Sequence, residues 1–339
     1  MITRIEQIEM AHGAGGKATR RLIEGLIAPA FQNPALAPLS DAALLCAHGV
    51  NFATTADGFV VKPLVFPGGS IGSLAVHGTI NDLAVSGARP IALMTTFILE
   101  AGLPGDVLER EINAMAAAAA AAGVPITGGD TKVVEHGMAD GMYISTFGVG
   151  LLDERLSLGP GHVRTGDKVL LSGPIGDHGI TILLARGELE LDADISSDSR
   201  ALTPLVDAVI ERANAGLRWM RDPTRGGVAT ALNELARDAS VAIVLDEESI
   251  PVHDAVRGAC ELLGLDPLHI ANEGQFIAVV APEFAGEALA ALRAAPGGSA
   301  AVAIGSIEAS PTGTVLTRTR YGGTRVVDML VGDPLPRIC

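Results

Sequence analysis

The stretch "SIGSLAVHGTINDLAVSGARPIALMTTFIL", residues 70–99, decides the fold. Residues 70–87 carry apolar side chains at helical spacing and stop at Ser86-Gly87, and residues 90–99 are a continuous apolar and β-branched run of strand length. A helix running directly into a strand is the unit from which mixed α/β folds are assembled.

The same unit recurs on both sides. Upstream, "KATRRLIEGLIAPAF" (17–31) reads as a helix and "NFATTADGFVV" (51–61) as a strand. Downstream, "PGDVLEREINAMAAAAAAAG" (104–123) is helical, and "VPITGGD" (124–130) and "MYISTFGVGLL" (142–152) are strands. Residues 153–173 have loop composition around Gly159, Pro160 and Gly161, which places a domain boundary there. Beyond it strands and helices alternate again, from "KVLLSG" (168–173) to "TRVVDML" (324–330). The expected organisation is α/β (α+β) in two domains, 1–155 and 156–330, followed by a mobile tail, 331–339, that carries Pro334 and Pro336 and ends on Cys339.

Composition narrows the function. The chain has 339 residues, 48% of them hydrophobic but only 3% aromatic, so its cores are built from Ala, Val, Leu and Ile. A formal net charge of −15 disfavours nucleic acid and anionic membranes as partners, because phosphate-backbone binding needs clustered Lys and Arg. It leaves room for a small phosphate ligand held by backbone amides and a divalent metal. The opening "MITRIEQIEMAH" breaks every apolar run with a charge and does not read as a signal peptide. Cys46, Cys260 and Cys339 are dispersed, without disulfide or zinc spacing, which suits a reducing, cytoplasmic location.

Several loops bear chemistry. "HGAGGK" puts Gly13, Gly15, Gly16 and Lys17 just ahead of a helix, where exposed amides suit a phosphate; it is neither a Walker A loop nor a convincing dinucleotide fingerprint. Asp57, Asp82, Asp130 and Asp222 each stand beside turn or small residues. Singly, each fits an Asx turn or N-cap; together they resemble hard oxygen ligands for Mg²⁺. "TGGDTK" adds Gly128, Gly129 and Lys132, and "DPTRGG" opens a helix with Arg225 for a phosphate and Gly226 for close approach. Glu273, in "ANEGQF", directly precedes an apolar strand, where a general base could be held. His12, His77 and His178 lie near glycines and are more often structural.

Taken together, "HGAGGK", "ADGFVV", "GTINDLAVSGA", "TGGDTK", "DPTRGG", "NEG" and the terminal "PRIC" resemble the HypE family of hydrogenase maturation factors. These are carbamoyl dehydratases of the aminoimidazole ribonucleotide synthetase and selenophosphate synthetase superfamily. The likeness runs from His12 to Cys339. It implies two domains, each a mixed sheet with helices on one side, and a homodimer made by pairing the N-terminal sheets. It implies ATP and Mg²⁺ held by the glycine loops and carboxylates, with Asp57, Asp82 and Asp130 as metal ligands and Lys132 and Glu273 handling protons. Cys339 would accept a carbamoyl group from the carbamoyltransferase HypF, dehydrate it to a thiocyanate, and pass cyanide to a HypC–HypD scaffold. Two other readings predict different behaviour. A synthetase or kinase acting on a free small molecule would not need Cys339, and a non-catalytic carrier would not consume ATP.

Overall fold

A computed structural model describes residues 5–31, 33–36, 38–187, 193–332, 335 and 337–339. Pro334 and Pro336, expected to stiffen the tail, lie outside the described residues, as do the first four residues of the opening segment.

The N-terminal half contains α1 (Lys17–Leu22), α2 (Ala28–Phe31), β1 (Ala43–Ala47), β2 (Val50–Phe59), β3 (Val65–Phe66), β4 (Gly69–Ser70), α3 (Ile71–Val85), β5 (Ala88–Glu100), α4 (Gly105–Ala122), β6 (Ile126–Val134) and β7 (Met142–Leu152). The single helix expected over 17–31 is interrupted by a π turn, Ile23–Ile27. Pro29 supplies the reason: it has no amide to bond the Gly25 carbonyl, so the ladder widens there. β1 was not evident in the sequence. It forms a hairpin with β2 through His48-Gly49, whose φ values of 51° and 80° are those of a two-residue I′ turn.

The first sheet has the order β1-β2-β7-β5-β6, antiparallel except for the β5–β6 pair. α3 and α4 cover one face. α3 is apolar nearly all round because it is enclosed on several sides, by the sheet, by α4 and by the second domain. Gly72 permits the α4 contact: a Cβ there would sit 2.2 Å from the Glu111 carbonyl oxygen. In return the buried Glu111 carboxylate accepts the Gly72 amide (3.1 Å), capping the positive end of α3.

The C-terminal half contains β8 (Lys168–Leu171), α5 (Asp177–Ala185), α6 (Thr203–Ala213), β9 (Leu217–Arg221), α7 (Gly227–Asp238), β10 (Ala242–Asp246), α8 (Asp254–Leu263), β11 (Ile277–Val280), α9 (Pro282–Ala294), β12 (Val302–Glu308), β13 (Thr314–Arg318) and β14 (Thr324–Val327). Its sheet runs β14-β13-β10-β12-β8-β11-β9, with only β10–β13 parallel. The mixed two-domain architecture is as expected, and helices lie on one side of the first sheet. The second sheet departs from that detail. Val169 and Leu171 point into a core shared with α7, while Leu170 between them joins α6 and α9, so helices cover both of its faces. Ala84 and Val85 of α3 enter that second core and fasten the halves together.

Candidate active site

Strand alternation aims Thr55 and Asp57 of β2 at α3, which presents Thr79 and Asp82 one turn apart. Thr79 Oγ1 donates to Asp57 Oδ2 (2.8 Å). Thr55 Oγ1 lies 2.8 Å from Asp82 Oδ2 and 2.9 Å from the Asp41 carbonyl, so its one proton serves either. Asp222, just past the end of β9, and Asp41, just before β1, complete the group. Oxygens of Asp41, Asp82 and Asp222 lie within 4.8 Å of one another. With Asp57 and Arg225 they line a cavity of about 500 Å³ between the two sheets.

Crowding so many carboxyls is electrostatically costly. Burial, followed by repulsion from Asp57, Asp222 and Asp41, pushes Asp82 well above the usual carboxylate range. Burial and then Asp41 do the same to Asp222, and burial also raises Asp41 and Asp57. Arginines offset part of this charge. Arg221 donates to Asp41 (2.8 Å) and Glu234 (2.6 Å), and Arg20 reaches Glu234 as well (2.9 Å). Arg225 donates to the Gly13 carbonyl (3.0 Å). The donor set of Asp41, Asp82 and Asp222 is all oxygen, without thiolate or imidazole, and is charge-strained; such a set fits a hard divalent cation such as Mg²⁺. Guanidinium groups on the same wall suit the phosphates that accompany Mg²⁺.

Of the residues expected from sequence, the fold brings Gly15, Asp57, Asp82, Asp222 and Arg225 to this cavity. Gly15 is required: with φ at 83°, a Cβ there would sit 2.5 Å from Arg225 Cβ. Gly13, Gly16, Lys17 and Gly226 are neighbours rather than lining residues. The Lys17 and Ala18 amides, candidates for a phosphate, instead donate to the Leu330 and Val331 carbonyls, and Lys17 Nζ pairs with Asp328 (2.6 Å). Asp130 is not part of the carboxylate group within one chain. In β6, Gly128, Asp130 and Lys132 register with Met94, Thr96 and Ile98 of β5, and Met94 and Ile98 point to the open face of the sheet. Asp130 and Lys132 therefore lie on the side opposite Asp57 and pair with each other. Gly129 immediately precedes Asp130 on the same exposed edge strand. Asp41, Arg20 and Arg221 were missed. Asp41 shares the visible signal of its partners, an acidic residue beside a small one at a strand end.

Glu273 is buried on the segment leading into β11. Its amide donates to Asp198 Oδ1 (3.0 Å), and its carbonyl accepts Asn81 Nδ2 of α3 (3.2 Å). Burial, then repulsion from Asp222, Asp198 and Asp57, holds its carboxyl well above the usual range. Burial, with a smaller contribution from Asp177, brings Asp198 to about 6.

The chain terminus is folded inward. A main-chain carboxylate oxygen of Cys339 accepts the Val60 amide (2.9 Å), and the Arg337 carbonyl accepts Arg186 (2.9 Å). The Arg337 guanidinium pairs with Asp140 (2.7 Å), and the Leu335 and Ile338 side chains are buried. Phe59, next to Val60, packs on Gly78; a Cβ added at Gly78 would sit 2.9 Å from Phe59 Cζ and 4.0 Å from Glu273 Oε2. Cys339 is thus docked just past the strand that carries Asp57, and the neighbouring Phe59 and Glu273 both approach Gly78. His77 bonds Ser199 (3.0 Å) and His12 accepts the Glu9 amide (3.0 Å), so both are structural.

Comparison with known proteins agrees with this geometry. Residues 39–152 match the family described as AIR synthase related protein, N-terminal domain, and residues 164–317 match its C-terminal domain. The carbamoyl dehydratase HypE of Rhizobium leguminosarum bv. viciae is 50% identical over 333 residues, 98% of this chain and 95% of that protein. The crystal structure of a HypE–HypF complex aligns with TM-score 0.87 at 43% identity, covering 91% of this chain and 99% of that one. A HypE structure in complex with ATP aligns with TM-score 0.82 at 44% identity, covering 98% and 100%. With identity of this order along nearly its full length, the chain belongs to the carbamoyl dehydratase HypE family, within the AIR synthase related proteins.

Proposed function

We propose that this chain is an ATP-dependent carbamoyl dehydratase that converts a thiocarbamate on its own Cys339 into a thiocyanate, the source of cyanide ligands in hydrogenase maturation. The observation that carries the reading is the inward terminus. A chain that acted on a free small molecule would have no use for a terminal cysteine docked at Val60, just past the strand that brings Asp57 to the carboxylate cavity.

The chemistry follows from the difficulty of removing oxide from an amide. The carbamoyl oxygen of S–C(=O)NH₂ attacks the γ-phosphorus of ATP, ADP departs, and the oxygen becomes a phosphate leaving group. As both N–H protons are removed, the C–O bond breaks and S–C≡N remains, with phosphate released. Glu273 is the proton acceptor: it is buried, and its segment is held by Asn81 of α3 and by Asp198. Arg225 and Arg20 steady the phosphates, and Asp41, Asp82 and Asp222 would hold Mg²⁺, with Asp57 adjacent. Bound there, the ion supplies charge neutralisation for the phosphoryl group.

Asp130 and Lys132 enter this scheme only through a second copy. Their sheet face exposes Ile91, Met94, Ile98 and Phe147, which suits pairing with the same face of a partner in a homodimer. We assign residues 1–155 and 156–330 to the two domains and 331–339 to an arm that leaves its seat to collect the carbamoyl group from a HypF-type carbamoyltransferase. The thiocyanate then passes to a HypC–HypD scaffold, in a reducing cytoplasm that keeps Cys339 a thiol.

The test is phosphate release with the carbamoyl donor system and Mg-ATP. The wild-type chain should release one phosphate beyond the donor's own consumption for each thiocyanate formed. Cys339→Ala should release none. Equal release by the two would show that the substrate is a free small molecule.

A further inference from the structure

We propose that His178 is a positioning residue for dehydration: it latches the docked arm through the Ile338 carbonyl and so sets Cys339 relative to Glu273. This rests on the reading of Cys339 as the group carrier.

His178 is fully buried in the first turn of α5. Its Nε2 lies 2.6 Å from the Ile338 carbonyl oxygen and its Nδ1 lies 2.8 Å from Ser197 Oγ. A carbonyl can only accept, so Nε2 carries the proton; Nδ1 then accepts from the Ser197 hydroxyl, which accepts the Ser199 amide in turn (3.1 Å). Phe66 meets the ring edge-on, with centroids 5.7 Å apart and planes at 88°, and fixes its orientation. The tautomer and direction of the bond are both determined.

A buried histidine is ordinarily one more satisfied core group. This one differs in its partner, which belongs to the segment that has to travel. With the arm away, the Nε2–H would stand buried without an acceptor, an unfavourable state that draws the arm back. When the arm returns, His178 holds the carbonyl of Ile338 and the Val60 amide holds the main-chain carboxylate of Cys339, so the residue bearing the thiol is gripped on both sides. Gly179, the next residue of α5, lies against both Ile270 and the arm: a Cβ there would sit 2.5 Å from Ile270 Cγ2 and in ordinary contact with Leu335.

The seat is also tied to the base. The Gly176 amide, which leads into the same turn, donates to Asn272 Oδ1 (2.7 Å), and the Gly179 amide donates to the Ala271 carbonyl (3.2 Å). Asn272 immediately precedes Glu273. One helical turn therefore holds the arm on one side and the Glu273 segment on the other, and His178 is its polar contact with the arm. A loosened seat misplaces the thiocarbamate without touching ATP or the carboxylates, a displacement of the kind that lowers a rate by about tenfold to a hundredfold.

The experiment compares full-length wild type, His178→Ala and His178→Gln, each confirmed to be folded by its melting transition. Three quantities are read: the rate of carbamoyl loading at Cys339 before ATP, the single-turnover rate of water loss after Mg-ATP, and the alkylation rate of Cys339 by iodoacetamide, followed by peptide mapping. His178→Ala should load at least as fast as wild type, lose water about tenfold to a hundredfold more slowly, and alkylate faster. His178→Gln keeps an N–H donor and should recover much of the dehydration rate. Water loss at the wild-type rate in His178→Ala, or loading and water loss reduced by the same factor, overturns the proposal. Alkylation separates the two readings. If the wild type never accepts a carbamoyl group, the carrier reading fails, whereas unchanged alkylation in His178→Ala refutes the latch by itself.

Discussion

Asp82 shows most directly what the site costs the fold. Its carboxyl faces Asp57, Asp222 and Asp41 in a partly buried wall, and each of these is raised by burial. Acids whose pKa rises on folding stabilise the native state below the unfolded pKa, and that stability is lost as pH climbs through the folded value. Asp198, held at about 6, has lost its share by that pH. His77 and His178 act in the opposite sense: burial holds both near 4, so their contribution is present above the unfolded value and is lost as pH falls. The raised acids outnumber the two histidines, so the melting temperature of the metal-free chain should fall as pH rises from about 5 to about 8. Mg²⁺ should raise it more at the higher pH, where the carboxylates are ionised. Asp82→Asn removes one of the crowded charges. It should raise the metal-free melting temperature at about pH 8 by roughly 2–4 °C and abolish the response to Mg²⁺. Thermal melts across this range check both, and a lower melting temperature for Asp82→Asn would show that the cluster is not strained.

At the scale of elements, β6 is the informative case. The sequence shows a strand ending in "TGGDTK", and the strand forms. What it does not show is the side of the sheet to which Asp130 and Lys132 are turned, because that depends on the register of β6 against β5 and on which face α3 and α4 cover. Asp57 and Asp222 were legible because each stands at or near a strand end beside small or turn residues, whereas Asp82 lies within α3. Asp41 carries the same local signal, but its membership depends on the Arg221 contact, which spans 180 positions of sequence. The hairpin turn at His48-Gly49 was missed because it lacks the Asn-Gly or Asp-Gly pair that marks a two-residue I′ turn. The open sheet face makes its own prediction. Phe147 pairs in register with Met94, and both are exposed. Phe147→Glu should leave the monomer folded and weaken self-association at least a hundredfold, roughly the loss of a central apolar anchor. Sedimentation equilibrium measures this, and an undiminished dimer would place the interface elsewhere.

On the scale of the whole molecule, α3 and the terminal arm join the halves into one reaction space. α3 supplies Asp82 to the cavity, Asn81 to the Glu273 segment and Ala84 and Val85 to the second core. The arm crosses back to pair with Val60 and to seat Ile338 on α5. The sequence disclosed that the chain ends on a cysteine and that the loops suit ATP. It could not disclose that the terminus docks, because the seat is assembled from residues 60, 140, 178 and 186, none adjacent in sequence to the tail. The most direct measurement is the intact mass of the chain after incubation with the carbamoyl donor system, before and after Mg-ATP. The account predicts a carbamoyl adduct mapped to Cys339 that loses the mass of one water when Mg-ATP is added. An adduct that persists unchanged in Mg-ATP, or none at Cys339 while ATP is cleaved with a free small molecule, would contradict it.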